Sequence, residues 1–113
     1  MPVEYTEGEI VNGRISIAPG EFDSYRADFN RRTTIKGNFR VAGPDQRIAF
    51  MILDESNFEK WRSGNDFTAA TTTGNVPSGH VVRVLEPGTY FLVFNNKAWP
   101  DRSVVVDTSF TAE

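Results

Sequence analysis

The stretch Ile48-Ala49-Phe50-Met51-Ile52-Leu53 carries six apolar residues in a row, between Arg47 and Asp54. Successive side chains of a β-strand point to opposite faces of the sheet, so this run predicts a strand that is covered on both faces. A second run, Tyr90 to Phe94, has the same property. We therefore expect both runs to be central strands of one sheet, with a further element lying over the outer face of that sheet.

The composition favours an all-β protein. The chain of 113 residues contains 11 Val, 6 Ile and 9 Phe but only 3 Leu, and β-branched and aromatic residues are enriched in strands. Turn sequences such as Pro19-Gly20 and Glu86-Pro87-Gly88 separate the apolar runs, as in a sandwich or barrel. The length fits a single domain, residues 1–113. We predict an antiparallel two-sheet β-sandwich, jelly-roll-like, with about seven or eight strands and one short helix.

The remaining strands alternate between apolar and polar residues. The clearest is Thr33 to Val41, and Glu9 to Ile17 alternates with a possible bulge at Gly13. Glu21 to Asn30 begins out of phase at Phe22, which predicts a bulge or a late start of the strand near Asp23-Ser24. A turn is predicted at Gly43-Pro44-Asp45. The predicted core consists of Ile15, Ile17, Tyr25, Phe29, Ile35, Phe39, Ile48, Phe50, Ile52, Val82, Val84, Phe91, Val93, Val104 and Val106.

A short helix is predicted from Ser56 to Arg62. Ser56 with Glu59 three positions later fits a capping box, and Phe58 and Trp61 share one helical face. We expect this helix to pack both aromatic side chains over the sandwich. The alternative interpretation of Trp61 is an exposed platform on which a sugar ring stacks. If the second face of the central strands is not covered, an apolar patch remains for a partner or a second subunit to bury.

Several function classes lack the residues they need. The sequence has no Cys, one His, no Gly-rich phosphate loop and no metal-ligand spacing, so we predict no enzyme, no cofactor and no metal site. The 12 basic and 15 acidic residues are mixed along the chain, which disfavours a nucleic-acid partner. No apolar run is long enough for membrane insertion, and no export signal is visible. The chain is either cytoplasmic or an exported domain whose signal was removed.

The segment Gly88 to Asn96, a loop containing Trp99 and the strand Ser103 to Val106 resemble the C-terminal half of the GOLD (Golgi dynamics) family. In that family a G-x-Y-x-L-x-F-x-N strand precedes an aromatic-containing loop and a last apolar strand. A Gly-Thr-Tyr strand preceded by Pro also resembles bacterial pre-peptidase C-terminal domains. The GOLD resemblance implies a non-catalytic protein-interaction module. The sequence shows no coiled coil, membrane anchor or lipid-binding domain, so a secretory cargo role does not carry over.

Two hypotheses from different classes follow. The first is a non-catalytic interaction module that binds a protein partner or a second copy of itself, as the two doubly apolar strands and the GOLD-like ending suggest. The second is a carbohydrate-binding module, because aromatic rings stack on sugar faces while amides and carboxylates bind pairs of hydroxyl groups. The candidate binding residues are Phe58, Trp61, Tyr90, Asn95, Asn96, Trp99 and Asp101.

Overall fold

Eight antiparallel strands form two four-stranded sheets in the computed structural model, which describes residues 5–43 and 46–113. Sheet A has the strand order β1-β8-β3-β6 and sheet B the order β2-β7-β4-β5. The elements are β1 (Gly8–Ile17), β2 (Phe22–Phe29), β3 (Thr33–Val41), β4 (Ile48–Asp54), α1 (Glu55–Arg62), β5 (Thr71–Val76), β6 (Ser78–Leu85), β7 (Gly88–Asn95) and β8 (Val104–Ala112). The predicted fold class is confirmed, and the two doubly apolar runs are β4 and β7, adjacent in the middle of sheet B.

The core between the two sheets is built around four buried phenylalanines. Phe50 of sheet B stacks on Phe110 of sheet A, with 4.8 Å between the ring centroids. Phe39 and Phe94 meet edge to face at 5.9 Å. These residues lie on the inward phase of strands β3, β4, β7 and β8, so each strand contributes one large ring to the same layer. Burial of these rings supplies much of the apolar area that the fold removes from water.

The predicted phase of β6 is wrong. Val82 and Val84 were expected in the core, but their side chains are 56% and 46% exposed, whereas Val81 and Leu85 are buried. The register explains this, because Val81 lies opposite Gly37 and Leu85 opposite Thr33, both on the inward phase of β3. Apolar residues occupy both phases of β6, so its sequence alone does not reveal which face is inside.

Four other core assignments change. On β7, Leu92 and Phe94 face the core between the sheets, and the predicted core residue Val93 is buried instead on the outer side of sheet B, together with half-buried Phe91. Ile15 and Tyr25 were expected to be buried but are half-buried and pack against the core from its border.

The bulge of β1 lies before Gly13, and β2 has neither the predicted bulge nor a late start. The register of β1 shifts between Glu9 and Val11 and runs regularly through Gly13. Strand β2 pairs with β7 without interruption from Phe22 to Phe29. Phe22 is out of phase with the core because its ring packs against the helix on the other face of the sheet. The turn predicted at Gly43-Pro44-Asp45 lies, apart from Gly43, outside the described residues.

The helix starts one residue earlier than predicted and uses a different cap. The carboxylate of Asp54 accepts a hydrogen bond from the backbone N–H of Asn57 at 2.8 Å, so Asp54 is the N-cap in place of Ser56. Glu55 occupies the first turn, and Lys60 and Arg62 occupy the last, which matches the helix dipole. Because Asp54 also ends β4, strand and helix are joined without a loop.

Candidate functional site

Helix α1 covers the outer face of sheet B with an aromatic cluster. The ring of Phe58 stacks on Phe91 with 4.1 Å between centroids, and Trp61 meets Phe22 edge to face at 4.7 Å. Beneath the helix, Met51 is only 6% exposed, and Leu53 is fully buried. The expected cover over the central strands is therefore present, and it buries Met51, Leu53 and Val93.

The predicted site residues Phe58, Trp61 and Asn95 come together at this cluster, although their contacts are internal. Phe58 is buried, and Trp61 is half-buried with the Lys97 ammonium 5.1 Å from its ring centroid. Such a contact is a cation–π interaction, and it places a charged group where a sugar ring would stack. Asn95 lies opposite Phe22 in the sheet register. Lys97 is not among the predicted site residues, because its position in the loop after β7 gives no signal of this contact.

Asn96 and Trp99 fasten the loop between β7 and β8 to the rest of the sandwich. Asn96 is fully buried, and its amide Nδ2 donates hydrogen bonds to the carbonyl oxygens of Ile17, Ala18 and Arg102 at 3.4, 3.2 and 2.9 Å. The guanidinium of Arg102 lies 4.3 Å from the ring centroid of half-buried Trp99. In this arrangement the Asn96 amide joins backbone carbonyls of the β7–β8 loop and of the chain at and just after the end of β1.

The two remaining predicted site residues lie apart from these. Asp101 is exposed on the β7–β8 loop. Tyr90 lies at the opposite end of β7, where its ring packs near Phe29 and its hydroxyl donates a 2.8 Å hydrogen bond to the carbonyl of Glu86. Burial, with smaller contributions from the nearby carboxylates, raises the pKa of the Tyr90 hydroxyl. Tyr90 is thus a border residue of the core and not part of the aromatic cluster.

The outer face of sheet A carries no covering helix and displays two rows of polar side chains across all four strands. We call these eight residues the polar ladder. Their positions follow from the strand register, which aligns the corresponding residues of β1, β8, β3 and β6. All are exposed except half-buried Ser109. The first row is Asn12, Ser109, Asn38 and His80, and the second row is Arg14, Asp107, Arg40 and Ser78.

A shallow groove of about 360 Å³ lies over the ladder and is lined mainly by its residues. The guanidinium of Arg14 donates two hydrogen bonds to the carboxylate of Asp107, at 2.8 and 3.1 Å. These hydrogen bonds, reinforced by the charges of Arg14 and Arg40, lower the pKa of Asp107. The ladder therefore presents two guanidinium groups and one ionised carboxylate together with amide, hydroxyl and imidazole groups.

The ladder ends at β6, which is the edge strand of sheet A. The backbone of Thr34 exchanges both hydrogen bonds with Glu113 on the β8 side, and Val41 N–H bonds to the carbonyl of Pro77 on the β6 side. Backbone N–H and C=O groups of successive residues point to alternate sides of a strand, so Ile35 and Gly37 of β3 point toward β6, where they pair with Arg83 and Val81. The residues between these partners in β6 have the opposite direction. The backbone groups of His80, Val82 and Val84 therefore point away from β3, toward the open edge.

Residues 5–43 and 46–113 contain neither a candidate metal site nor a helix that could cross a membrane. No group of three or more His, Cys, Asp or Glu side chains there could hold a metal ion. In the same ranges, the helical structure is too short and too polar for a membrane crossing.

No protein-family model matches the chain, and no curated protein matches it. Solved structures do resemble it. The pre-peptidase C-terminal domain of a Bacillus anthracis collagenase is 14% identical, with a TM-score of 0.59 over 100% of this chain and 98% of that one. PliG of Aeromonas hydrophila, a periplasmic inhibitor of g-type lysozyme, is 12% identical, with a TM-score of 0.61 over 100% and 95%. A β-1,3-glucan-binding CBM6 from Bacillus halodurans is 20% identical, with a TM-score of 0.50 over 96% and 84%.

These similarities show the β-sandwich fold. They support the pre-peptidase C-terminal resemblance at the level of fold, while the GOLD resemblance stays a prediction.

Proposed function

We propose that this protein is a non-catalytic binding module that holds an extended segment of a protein partner along the open edge of β6. The observation that carries the proposal is the edge itself: the backbone groups of His80, Val82 and Val84 face outward, and both valine side chains are exposed. A peptide that adds a strand gains main-chain hydrogen bonds from such an edge and specificity from the side chains on either side.

Strand β6 has few of the features that usually protect an edge from pairing; Arg83, on the phase of Val81 and Leu85, is the one charged residue of the strand. Its register with β3 is regular over eight residue pairs, and the strand contains no proline and no lysine. The edge strand β1 carries a bulge, and the pairing of the edge strand β5 with β4 shifts register between Ala49 and Met51. The end of β2 is occupied by Thr6, whose N–H bonds to the carbonyl of Asp28. Among the edges of the two sheets, β6 is therefore the one best prepared to accept another strand.

The side chains of β6 indicate the chemistry of the partner segment. On the outer face, Val82 and Val84 favour apolar residues at alternate positions of the added strand. Arg83 lies on the opposite phase and is exposed, so it favours an acidic residue there. An antiparallel pair of two β6 strands would place no carboxylate opposite either Arg83, because β6 contains no acidic residue. A different protein is for this reason the better partner than a second copy.

A glycan partner that stacks on Trp61, Trp99 or Tyr90 has less support. Cationic side chains lie over the rings of both tryptophans, and Tyr90 packs against the core. The similar structures include a lysozyme inhibitor and a glucan-binding module, so this fold is compatible with either kind of partner. The open backbone edge favours protein.

Selection from a random peptide library against the immobilised protein tests the proposal. We expect peptides with alternating apolar residues, and we expect the double variant Val82→Lys, Val84→Lys to weaken their binding at least about tenfold. The matched control is Ser24→Lys, Thr72→Lys, which adds the same charges to exposed strand positions of sheet B. Equal binding by both double variants, or a library that yields no peptide, would contradict the proposal.

Charge reversal at Arg83 tests the partner chemistry separately. The variant Arg83→Glu should shift the selected peptides from acidic to basic residues on the phase opposite the apolar ones. Sedimentation velocity of the wild-type protein addresses self-association. A dimer that is abolished by the double lysine variant would make a second copy the occupant of this edge, against our choice of a different protein.

A further inference from the structure

We propose that the polar ladder is a second binding site, whose ligand is an acidic glycan: an oligosaccharide with carboxylate-bearing sugar units. This inference goes beyond the protein-binding proposal and uses other side chains of sheet A. The ladder crosses four strands, so at a strand spacing of about 4.8 Å it extends roughly 14 Å. That length suits an elongated ligand that lies across the strands and contacts more than one side chain of each row.

Arg40 is the group that would bind the carboxylate. Its neighbour Asp107 already accepts both hydrogen bonds of Arg14, and no ion pair among the described residues involves Arg40. A guanidinium fork matches a carboxylate in a planar, two-bond geometry. Because Arg14 engages Asp107, the guanidinium donors of Arg40 are available to a ligand carboxylate.

The other row provides partners for hydroxyl groups. The amides of Asn12 and Asn38 each offer two donors and an acceptor, and the Ser109 hydroxyl between them can donate or accept. Within residues 5–43 and 46–113, no side-chain hydrogen bond engages either amide, so both are available to a ligand. A sugar ring carries hydroxyl groups on neighbouring carbons, which a planar amide can bind in pairs. The two rows together thus match a molecule with both carboxylates and hydroxyls.

The charge and the surface of the groove distinguish this ligand from two alternatives. Arg14, Arg40 and Asp107 give the ladder a net charge of about one positive unit, since two cations face one anion, in a chain whose net charge is −3. A neutral glycan would offer no carboxylate to the guanidinium of Arg40. A protein surface would find no aromatic or large apolar anchor, because the ladder consists of polar residues only.

Calorimetric titration of the whole chain with short oligomers of galacturonate, mannuronate and glucuronate tests the proposal. We expect binding of at least one uronate oligomer, and we expect Arg40→Ala to weaken it about tenfold or more. The matched control, Lys60→Ala, removes the same charge from the exposed side of α1 and should change the affinity less than about twofold. Equal thermal unfolding midpoints of the three proteins show that the variants are folded.

Three results would overturn the proposal: no binding of any uronate oligomer, equal losses in Arg40→Ala and Lys60→Ala, or binding of an oligoglutamate peptide as tight as that of the best uronate. The last result would assign the carboxylate recognition to acidic peptides. The Val82→Lys, Val84→Lys variant keeps all eight ladder residues and adds positive charge to the same face, so it should bind the uronate at least as tightly as the wild type. Failure here is therefore distinguishable from failure at the β6 edge.

Discussion

The outer faces of the two sheets have opposite roles in this molecule. On sheet B the outward residues of the central strands, Met51, Leu53 and Val93, are apolar and buried beneath α1. On sheet A the corresponding face presents the polar ladder and the exposed Val82 and Val84. The aromatic side chains Phe58 and Trp61 pack against the outer face of sheet B, whereas sheet A leaves polar side chains and two valines exposed.

The largest expected effect is at the cover of sheet B. The substitution Phe58→Ala removes a buried ring that stacks on Phe91 at 4.1 Å, and we expect it to lower the free energy of unfolding by about 3 kcal/mol. The matched change on sheet A, Val84→Ala, should cost less than about 0.5 kcal/mol because Val84 is exposed. Urea denaturation measures both. Similar losses at the two positions would contradict the division of roles between the faces.

A smaller loss is expected for Asn96→Ala. The substitution leaves the carbonyls of Ile17, Ala18 and Arg102 without the amide donor that joins them, at a cost of about 2 kcal/mol. The neighbouring Asn95 accepts one hydrogen bond, from the N–H of Lys97, so Asn95→Ala serves as the milder control. If Asn96→Ala kept full stability and instead abolished ligand binding, Asn96 would belong to a binding site and not to the fold.

The smallest expected effect concerns two arginine–aspartate ion pairs, Arg26–Asp28 on sheet B and Arg14–Asp107 on sheet A. Desolvation raises the pKa of half-buried Asp28, but hydrogen bonds from Thr89 and Arg26 outweigh it, so the net pKa is lowered. We expect Asp28→Asn to cost about 1 kcal/mol near neutral pH. Since the folded pKa lies below the unfolded value of about 3.9, this contribution is complete above that value and is lost as the pH falls through the folded pKa.

Urea midpoints measured at several pH values check this dependence. The difference between wild type and Asp28→Asn should shrink as the medium becomes acidic. On sheet A, Asp107 is exposed, so Asp107→Asn should have the smaller effect on unfolding at neutral pH. A larger loss for Asp107→Asn would mean that the ladder stabilises the fold more than the covered face does.

Local patterns predicted the parts of the fold that short segments determine. The doubly apolar runs of β4 and β7 identified the central strands and the need for a cover, and the spacing of Phe58 and Trp61 identified the element that supplies it. The out-of-phase position of Phe22 is visible in the sequence and predicts a bulge or a late strand start. The structure shows neither, because the ring of Phe22 packs against the helix on the outer face of sheet B.

The surface features depend on contacts between distant segments, and the sequence alone does not reveal them. The phase of β6 is decided by its pairing with β3, since Val81 and Val82 are equally apolar. The polar ladder brings together residues from four strands whose register is known only once the sheet is formed. Asn96, a predicted ligand contact, is buried, and its amide donates a hydrogen bond to the carbonyl of Ala18 in the β1–β2 turn. The sequence around Asn96 gives no signal of this distant partner.

The most direct test of the division of roles is a map of backbone amide chemical shifts in the isotope-labelled protein as a selected peptide is added. Our account predicts that the largest changes fall on β6, at His80, Val82 and Val84, and on the adjoining strand β3. Changes concentrated on α1 and the β7–β8 loop, around Trp61 and Lys97, would contradict it and would make the covered face of sheet B the binding surface.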